Sequence, residues 1–247
     1  MRIDEIYNMD CFDGMKEIED KTIDMILCDL PYGKTRNKWD IQLDLKKLWE
    51  EYKRIIKENG VIALTASQPY TSILVMSNVE MFRHEWIWLK NRGSNFGNVK
   101  REPMKEHEEI LIFSRGKWTY NAQMQERTGG GASRVKYAYK GITTTENYGK
   151  FGEKREFQQK LRVPSSWQKF NTEVGTHHTQ KPTELFEYLI KTYTNEGELI
   201  LDNCIGSGTT AIAAIRTGRH FIGFEKEKKY FDIAETRIEQ ESEDKGK

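Results

Sequence analysis

Four consecutive residues, Asp29-Leu30-Pro31-Tyr32, combine the groups needed to handle a planar amino group. An amino nitrogen on an aromatic base is a poor nucleophile because its lone pair is delocalised into the ring. A site that accepts hydrogen bonds from both N–H bonds draws the nitrogen toward a tetrahedral form and localises that pair. The Asp29 carboxylate can accept one bond and the Leu30 carbonyl the other, while Pro31 stiffens the loop and contributes no N–H of its own. Tyr32 offers a flat face for a base that has left its stack. Four such residues also make an ordinary turn after a strand, so the tetrapeptide needs support from the rest of the chain.

A second set lies near the other end. In the run from Asp202 to Ala211, Gly206 and Gly208 let a ligand approach the backbone, with Ser207 between them and Thr209 opening the helix expected next. The first N–H groups of that helix are unpaired. Glu225 follows about 20 residues on, where a carboxylate can accept hydrogen bonds from both ribose hydroxyls. The spacing Gly206-x-Gly208-x-x-Ala211 also fits a dinucleotide turn, so NAD competes with a smaller nucleoside cofactor. A dinucleotide site normally opens its domain, yet only 22 residues follow Glu225. Asp202, just before the turn, repels a diphosphate and suits the cationic amino-acid end of S-adenosylmethionine.

The elements that must carry these groups are legible as apolar patterns. Strands are expected at Ile3–Tyr7, Ile23–Cys28, Val61–Thr65, Glu85–Lys90, Glu109–Phe113, Glu198–Asp202 and His220–Glu225. Helices are expected at Cys11–Glu19, Tyr70–Asn78, after Lys181-Pro182, at Thr209–Thr217 and at Tyr230–Gln240. Leu45, Leu48, Trp49, Tyr52, Ile55 and Ile56 form one face of a further helix, with Asn59-Gly60 as its stop. Strands alternating with helices predict an α/β fold with a mostly parallel, helix-covered sheet. From Gly116 to Gly175 no apolar period is sustained, and so long a loop-rich stretch is usually functional. The expected organisation is a catalytic domain in two parts, 1–115 and 176–247, around an insert at 116–175.

Charge distinguishes that insert. The chain of 247 residues has a net charge of +1, but residues 111–170 hold 12 Lys or Arg against 4 Asp or Glu, and the remainder holds 27 against 34. A basic segment in an acidic protein points to a polyanion bound locally. Mean hydropathy is -0.76, and no apolar run approaches the roughly 18–20 residues that span a bilayer. The opening Met1-Arg2-Ile3-Asp4-Glu5 is acidic where a signal peptide is basic and then apolar, so the expected location is the cytoplasm. Cys11, Cys28 and Cys204 are odd in number and form no C-x-x-C pair; they read as reduced, buried thiols, and no metal is expected.

Together these residues resemble the amino-type DNA methyltransferases, in the circularly permuted group whose catalytic motif precedes the glycine motif. The resemblance covers about residues 4–115 and 176–238. It implies a Rossmann-like S-adenosylmethionine-dependent methyltransferase fold. It also implies that Asn8-Met9-Asp10-Cys11 lies beside the cofactor adenine, with Asp10 as acceptor for its amino group, and that Cys11 and Asp29 are among the cofactor-binding residues. Asp29, Leu30, Pro31 and Tyr32 match the catalytic motif, and Glu108–Ser114 the strand ahead of the target-recognition region. His178-Thr179-Gln180-Lys181-Pro182 is close to the family's H-x-T-Q-K-P, one residue shorter between His and Thr. There Thr179 and Lys181 would bind the cofactor, Lys181 through its carboxylate. Asp202, Gly206, Ser207, Gly208 and Thr209 match the cofactor loop and Glu225 the ribose acid.

Two departures stand out: Asn203-Cys204 where the family usually has Pro-Phe, which leaves its aromatic contact to the cofactor open, and Leu30 where adenine enzymes more often have Pro. No Pro-Cys loop supports a cysteine nucleophile for carbon methylation. An Asp at the head of the motif favours adenine N6; cytosine N4 is the alternative, and RNA or protein amide methylation and a catalytically silent DNA-binding relative are further ones. Double-stranded DNA is the expected partner. Arg134, Lys136, Lys140, Lys154, Arg155 and Arg162 are candidates for phosphate contact, and Arg36 and Lys38 for closure over a flipped base. A homodimer and a cognate restriction enzyme are implied only by the resemblance.

Overall fold

The computed structural model describes residues 1–33, 40–127, 143–145, 149–151, 161–173 and 180–245. These fall into two compact units, Met1–Asn121 with Ser166–Lys247, and Ala122–Ser165.

In the first unit the strands are β1 (Glu5–Tyr7), β2 (Ile23–Cys28), β3 (Ile56–Ala66), β4 (Phe82–Ser94), β5 (Lys105–Phe113), β10 (Trp167–Lys169), β11 (Leu199–Asp202) and β12 (His220–Phe224). The helices are α1 (Cys11–Lys16), α2 (Leu45–Ile55), α3 (Tyr70–Ser77), α4 (Thr183–Tyr193), α5 (Thr209–Thr217) and α6 (Lys228–Lys245). The strands make one sheet in the order β1-β12-β11-β2-β3-β5-β4-β10. The five strands from β1 to β3 run parallel, β5 is antiparallel to both β3 and β4, and β10 is parallel to β4.

The unbroken apolar runs of β2 and β3 have a simple cause, since both faces of the sheet are covered. Successive side chains point to opposite faces. Ile26, Cys28, Ile62 and Leu64 pack with Met15 of α1, Trp49 and Tyr52 of α2 and Leu74 of α3. Met25, Leu27, Val61 and Ala63 pack with Phe186 and Leu189 of α4 and Ala211 and Ala214 of α5. The expected α/β architecture with a mostly parallel sheet is the one observed.

Most element bounds differ from the pattern-based expectation by a few residues, and two of the differences have a visible cause. Asp4 has a left-handed backbone (φ 61°), so β1 begins at Glu5 rather than Ile3. The helix expected to stop at Asn59-Gly60 ends at Ile55, and those two residues lie inside β3. Ile56 turns extended (ψ 138°) and pairs with Ile23, which buries it in the sheet rather than on the helix. Lys57 then reaches Asp24 Oδ1 at 2.7 Å, while Asp24 Oδ2 accepts from the Leu199 N–H on the other neighbouring strand. Gly60 is a point of close approach and not a helix stop: a Cβ there would stand 2.9 Å from the Asp24 carbonyl oxygen.

The second unit contains β6 (Gln125–Glu126) paired antiparallel with β9 (Leu161–Arg162), and β7 (Thr143–Thr145) paired antiparallel with β8 (Gly149–Phe151). The flanks of the expected insert belong instead to the first unit, where Trp118 and Phe170 pack against its core. Among the described residues, no helix is long and apolar enough to cross a membrane.

Gly60→Ala should lower the unfolding free energy by about 1–3 kcal/mol, because the added methyl overpacks against main chain that cannot rotate away. Urea titration measures it, and an unchanged midpoint would show that the β2–β3 junction has room to spare.

Candidate active site

Parallel strands place their carboxyl ends along one edge of a sheet, where ligands bind in open α/β folds. Here that edge collects Tyr7 to Cys11 after β1, Glu225 after β12, Asp202 at the end of β11, Asp29 after β2 and Thr65 near the end of β3. The start of β5 arrives at the same edge, since its antiparallel register sets Glu109 opposite Ala66. Segments far apart in the chain thus converge through topology.

Asp29 is held on both oxygens. Tyr32 Oη donates to Oδ1 at 2.8 Å, Thr65 Oγ1 makes a short hydrogen bond to the same oxygen, and Lys181 Nζ donates to Oδ2 at 2.6 Å. Tyr32 Oη and Thr65 Oγ1 also lie 2.8 Å apart. The Tyr32 ring packs on Tyr70, with centroids 5.2 Å apart. Leu30 is buried in the core and Pro31 half-buried. Lys181 is buried and has a second carboxylate, Glu108 Oε2, at 3.5 Å; Glu108 Oε1 in turn pairs with Lys90.

The charge states follow from this packing. Burial alone would draw the Lys181 ammonium down, but Asp29 and Glu108 outweigh it and raise its pKa above the ordinary value. Burial likewise opposes ionisation of Glu108, and Lys181 and Lys90 outweigh it and lower that pKa. Burial, and then the Asp29 charge, raise the Tyr32 phenol well above 10, so it stays a donor.

The glycine loop is shaped as its composition requires. Gly206 (φ 54°) and Gly208 (φ 86°) are left-handed, and Gly208 caps α5. Gly206 N–H donates to Glu225 Oε2 at 3.0 Å and Glu227 N–H to Oε1 at 2.8 Å. Burial is the main cause of a raised Glu225 pKa. Asp202 is engaged within the loop: Oδ1 accepts from Cys204 N–H at 3.0 Å and Oδ2 takes a short hydrogen bond from Thr210. Thr209 is buried at the first turn of α5. Asp10 caps α1, accepting from Phe12 N–H at 3.0 Å, and its other oxygen meets Lys226 at 3.1 Å.

Adjacent residues join the two motifs. Lys181 reaches Asp29, while Gln180 accepts from Ser207 Oγ at 3.3 Å and donates to Glu173 at 2.8 Å. Glu173 also accepts from Thr183 N–H at 2.6 Å, so it supplies the side-chain cap that Pro182 cannot give α4. The three cysteines, distant in sequence, meet here. The Cys204 thiol lies beside those of Cys11 and Cys28, and burial pushes the Cys28 thiol up to about 12. A thiol so raised is no thiolate near neutral pH.

The structure gathers Asp10, Cys11, Asp29, Leu30, Pro31, Tyr32, Lys181, Asp202, Gly206, Ser207, Gly208, Thr209 and Glu225 at this edge. Thr179, Arg36, Lys38, Arg134, Lys136, Lys140, Lys154 and Arg155 lie outside the described residues. Arg162 sits on β9 in the second unit and donates to Ser165 Oγ at 2.7 Å. Thr65, Lys90, Glu108, Glu173 and Gln180 are site neighbours that motif reading passed over. Lys90 and Glu108 carry no motif signal, and their pairing follows only from the antiparallel register of β4 and β5. Among the described residues, no group of His, Cys, Asp or Glu could hold a metal ion.

Burial raises the Asp202 carboxyl from an ordinary 3.8 to about 7. A raised acid favours the fold while protonated, so its contribution is present below about pH 4 and lost as pH rises through about 7. Between about pH 5 and 7.5 this chain should lose about 2–3 kcal/mol of stability that Asp202→Asn does not lose. Urea midpoints across that range check it; parallel slopes for the two proteins would refute it.

Comparisons with known proteins identify the family. The N6/N4 methyltransferase family, described as DNA methylase, matches residues 23–236. The chain is similar to the type II methyltransferase M1.MboII of Moraxella bovis, 28% identical over 264 residues that cover 97% of this chain and 98% of that protein. Among solved structures it resembles the M1.HpyAVI–SAM complex, with a TM-score of 0.64 and 25% identity over 94% of this chain and 98% of that one. It shares the fold of the cytosine-N4-specific PvuII DNA methyltransferase, with a TM-score of 0.66 and 13% identity over 95% of this chain and 86% of that one. With a family match spanning Asp29–Tyr32, Lys181 and the glycine loop, the chain belongs to the N6/N4 DNA methylases, the amino-type DNA methyltransferases.

Proposed function

We propose that this DNA methyltransferase methylates the exocyclic N6 amino group of adenine, with the methyl group drawn from S-adenosyl-L-methionine. The observation that carries the adenine reading is Asp29 at the head of the tetrapeptide, where many cytosine-amino enzymes carry Ser. Cytosine N4 is the second reading, favoured by one observation: the PvuII enzyme, cytosine-N4-specific by name, shares the fold. The order of motifs, with Asp29-Leu30-Pro31-Tyr32 ahead of Gly206–Thr209, supports a place in the circularly permuted group.

The residues at the sheet edge fit the methyl donor. Beside Gly206 the space is open, since a Cβ there would meet nothing nearer than the Cys204 carbonyl oxygen at 3.9 Å. Glu225 accepts one main-chain N–H on each oxygen and keeps lone pairs for ribose hydroxyls. An ammonium carries three N–H donors, so Asp29 and Glu108 do not exhaust Lys181, and a cofactor carboxylate can be its third partner. Asp202 acts by bracing the loop. Its reading as the partner of the cofactor's ammonium requires a lone pair beyond those used by Cys204 and Thr210.

When bound, S-adenosylmethionine supplies an electrophilic methyl group on sulfur. The chain's own groups prepare the nucleophile. The Asp29 carboxylate has about four acceptor positions, some held by Lys181, Thr65 and Tyr32, and one is offered to a base N–H. The Leu30 carbonyl accepts the second N–H, which localises the lone pair on nitrogen. Tyr32 has two tasks, its ring for the flipped base and its hydroxyl for orienting Asp29. Asp29 is an acceptor held in place by the buried Lys181 ammonium. Its work is positioning, and the proton lost after transfer passes to water. The basic residues within 111–170 are the reading for DNA engagement.

Asp29→Asn should abolish methyl transfer, with a loss of at least about a thousandfold, while cofactor binding by calorimetry stays within a few-fold. Labelled methyl donor and DNA, followed by hydrolysis and mass spectrometry of the nucleosides, identifies the base. N6-methyladenine is expected; N4-methylcytosine alone would replace the adenine reading, and full turnover by Asp29→Asn would end the assignment of the tetrapeptide.

A further inference from the structure

Behind the catalytic carboxylate runs a line of four alternating charges that the transfer chemistry does not itself require. Lys90 on β4 pairs with Glu108 Oε1 on β5, Glu108 Oε2 lies 3.5 Å from Lys181 Nζ, and Lys181 donates to Asp29 Oδ2 at 2.6 Å. The line is largely out of water, with side-chain exposures of 9% for Lys90, 17% for Glu108 and 8% for Lys181. Taking charges out of water is unfavourable, and apolar side chains of similar volume fill such space at no loss of stability. Stability is therefore a poor reason for the line.

Its geometry suggests a better one. Trp88 lies opposite Glu108 across the antiparallel β4–β5 pair, and Lys90, two residues on, shares its face and reaches Glu108 diagonally. The Lys90 ammonium also stands 5.0 Å from the Trp88 ring centroid, which limits its movement. Glu108 Oε2 is buried and stands 3.5 Å from Lys181 Nζ, so it acts on Lys181 chiefly as a charge across a short gap. Facing a single carboxylate, the Lys181 ammonium could swing with the Asp29 side chain. Between two, it has one balanced position.

We propose that Glu108, anchored by Lys90, is a positioning residue for methyl transfer: it fixes Lys181 between two carboxylates and thereby orients Asp29 toward the base amino group. The inference rests on the reading of Asp29 as the acceptor for that amino group.

The titratable and charged groups around Lys181 are Asp29 and Tyr32 from the loop after β2 and Glu108 from β5, with Lys90 of β4 facing Glu108. Removing the Glu108 charge takes away one of the two carboxylates that hold Lys181 protonated against burial. The alkaline limb of kcat then moves to lower pH. Removing Lys90 leaves Glu108 easier to protonate, and the acid limb moves to higher pH.

The test uses the full chain, labelled S-adenosylmethionine and unmethylated DNA. Glu108→Gln should lower kcat about tenfold to a hundredfold with cofactor and DNA affinities within about threefold, and shift the alkaline limb down by about one pH unit. Glu108→Asp, which keeps the charge, should leave that limb near its original place. Lys90→Met should lower kcat and raise the acid limb, and should add nothing in the Glu108→Gln background. An unchanged kcat and pH profile in folded Glu108→Gln overturns the proposal, as does a loss confined to cofactor affinity. If Glu108→Gln does not fold, Lys90→Met decides alone, and an unmoved acid limb overturns it. Asp29→Asn run in parallel separates the failures. If Asp29→Asn keeps turnover, the reading of the tetrapeptide fails; if Asp29→Asn is inactive and Glu108→Gln is normal, only the role of Glu108 fails.

Discussion

The ion pair between Lys181 and Asp29 joins residues 152 positions apart, and the site depends on it. Lys181 cannot be left unpaired where it sits, because an uncompensated buried charge is costly. The pair therefore commits the start of α4 to the end of β2 and brings the catalytic tetrapeptide up to the segment that contacts the glycine loop. It also decides what Asp29 can be. A carboxylate held by an ammonium and two hydroxyls keeps its direction, which suits accepting a hydrogen bond.

The cofactor side of the site is preorganised by the protein's own hydrogen bonds. Glu225 already holds the Gly206 N–H, Asp202 already ties Cys204 to Thr210, and Gln180 already meets Ser207. The loop thus keeps its shape without a ligand, and binding need not spend free energy on ordering it. The same economy appears at the other end of Lys181, where Glu108 and Lys90 confine the ammonium. A reaction that works by orientation needs rigid acceptors, and each acceptor here is backed by a group that restricts it.

Much of this was legible before any coordinates. Pattern placed β2 and α5 at their observed bounds because their apolar residues face a covered sheet on both sides or pack between sheet and helix. It erred at Asn59-Gly60, where local turn chemistry suggested a helix end and the pairing of Ile56 with Ile23 prevailed. The cysteines were counted correctly and understood only partly: spacing excluded a C-x-x-C pair but could not show that Cys11, Cys28 and Cys204 meet. Lys90 and Glu108 were passed over because each reads as a solvated strand residue until the antiparallel register sets them on one face.

The sequence by itself determined the chemistry on offer: a carboxylate and a carbonyl beside a tyrosine, two glycines before a helix, an acid at the next strand end, and a buried-strand pattern that places all three at carboxyl ends. These are local properties, set by residue type and by spacing within one turn, strand or helix. Only the tertiary structure decided which groups face each other. Lys181 turns to Asp29 while Gln180 beside it meets the glycine loop, Tyr32 bonds its own motif's carboxylate, Asp202 braces its loop, and Glu108 stands behind them. The physical reason is that burial obliges every charge and donor to find a partner, and which partners lie in reach is set by strand order and register, which no segment encodes alone.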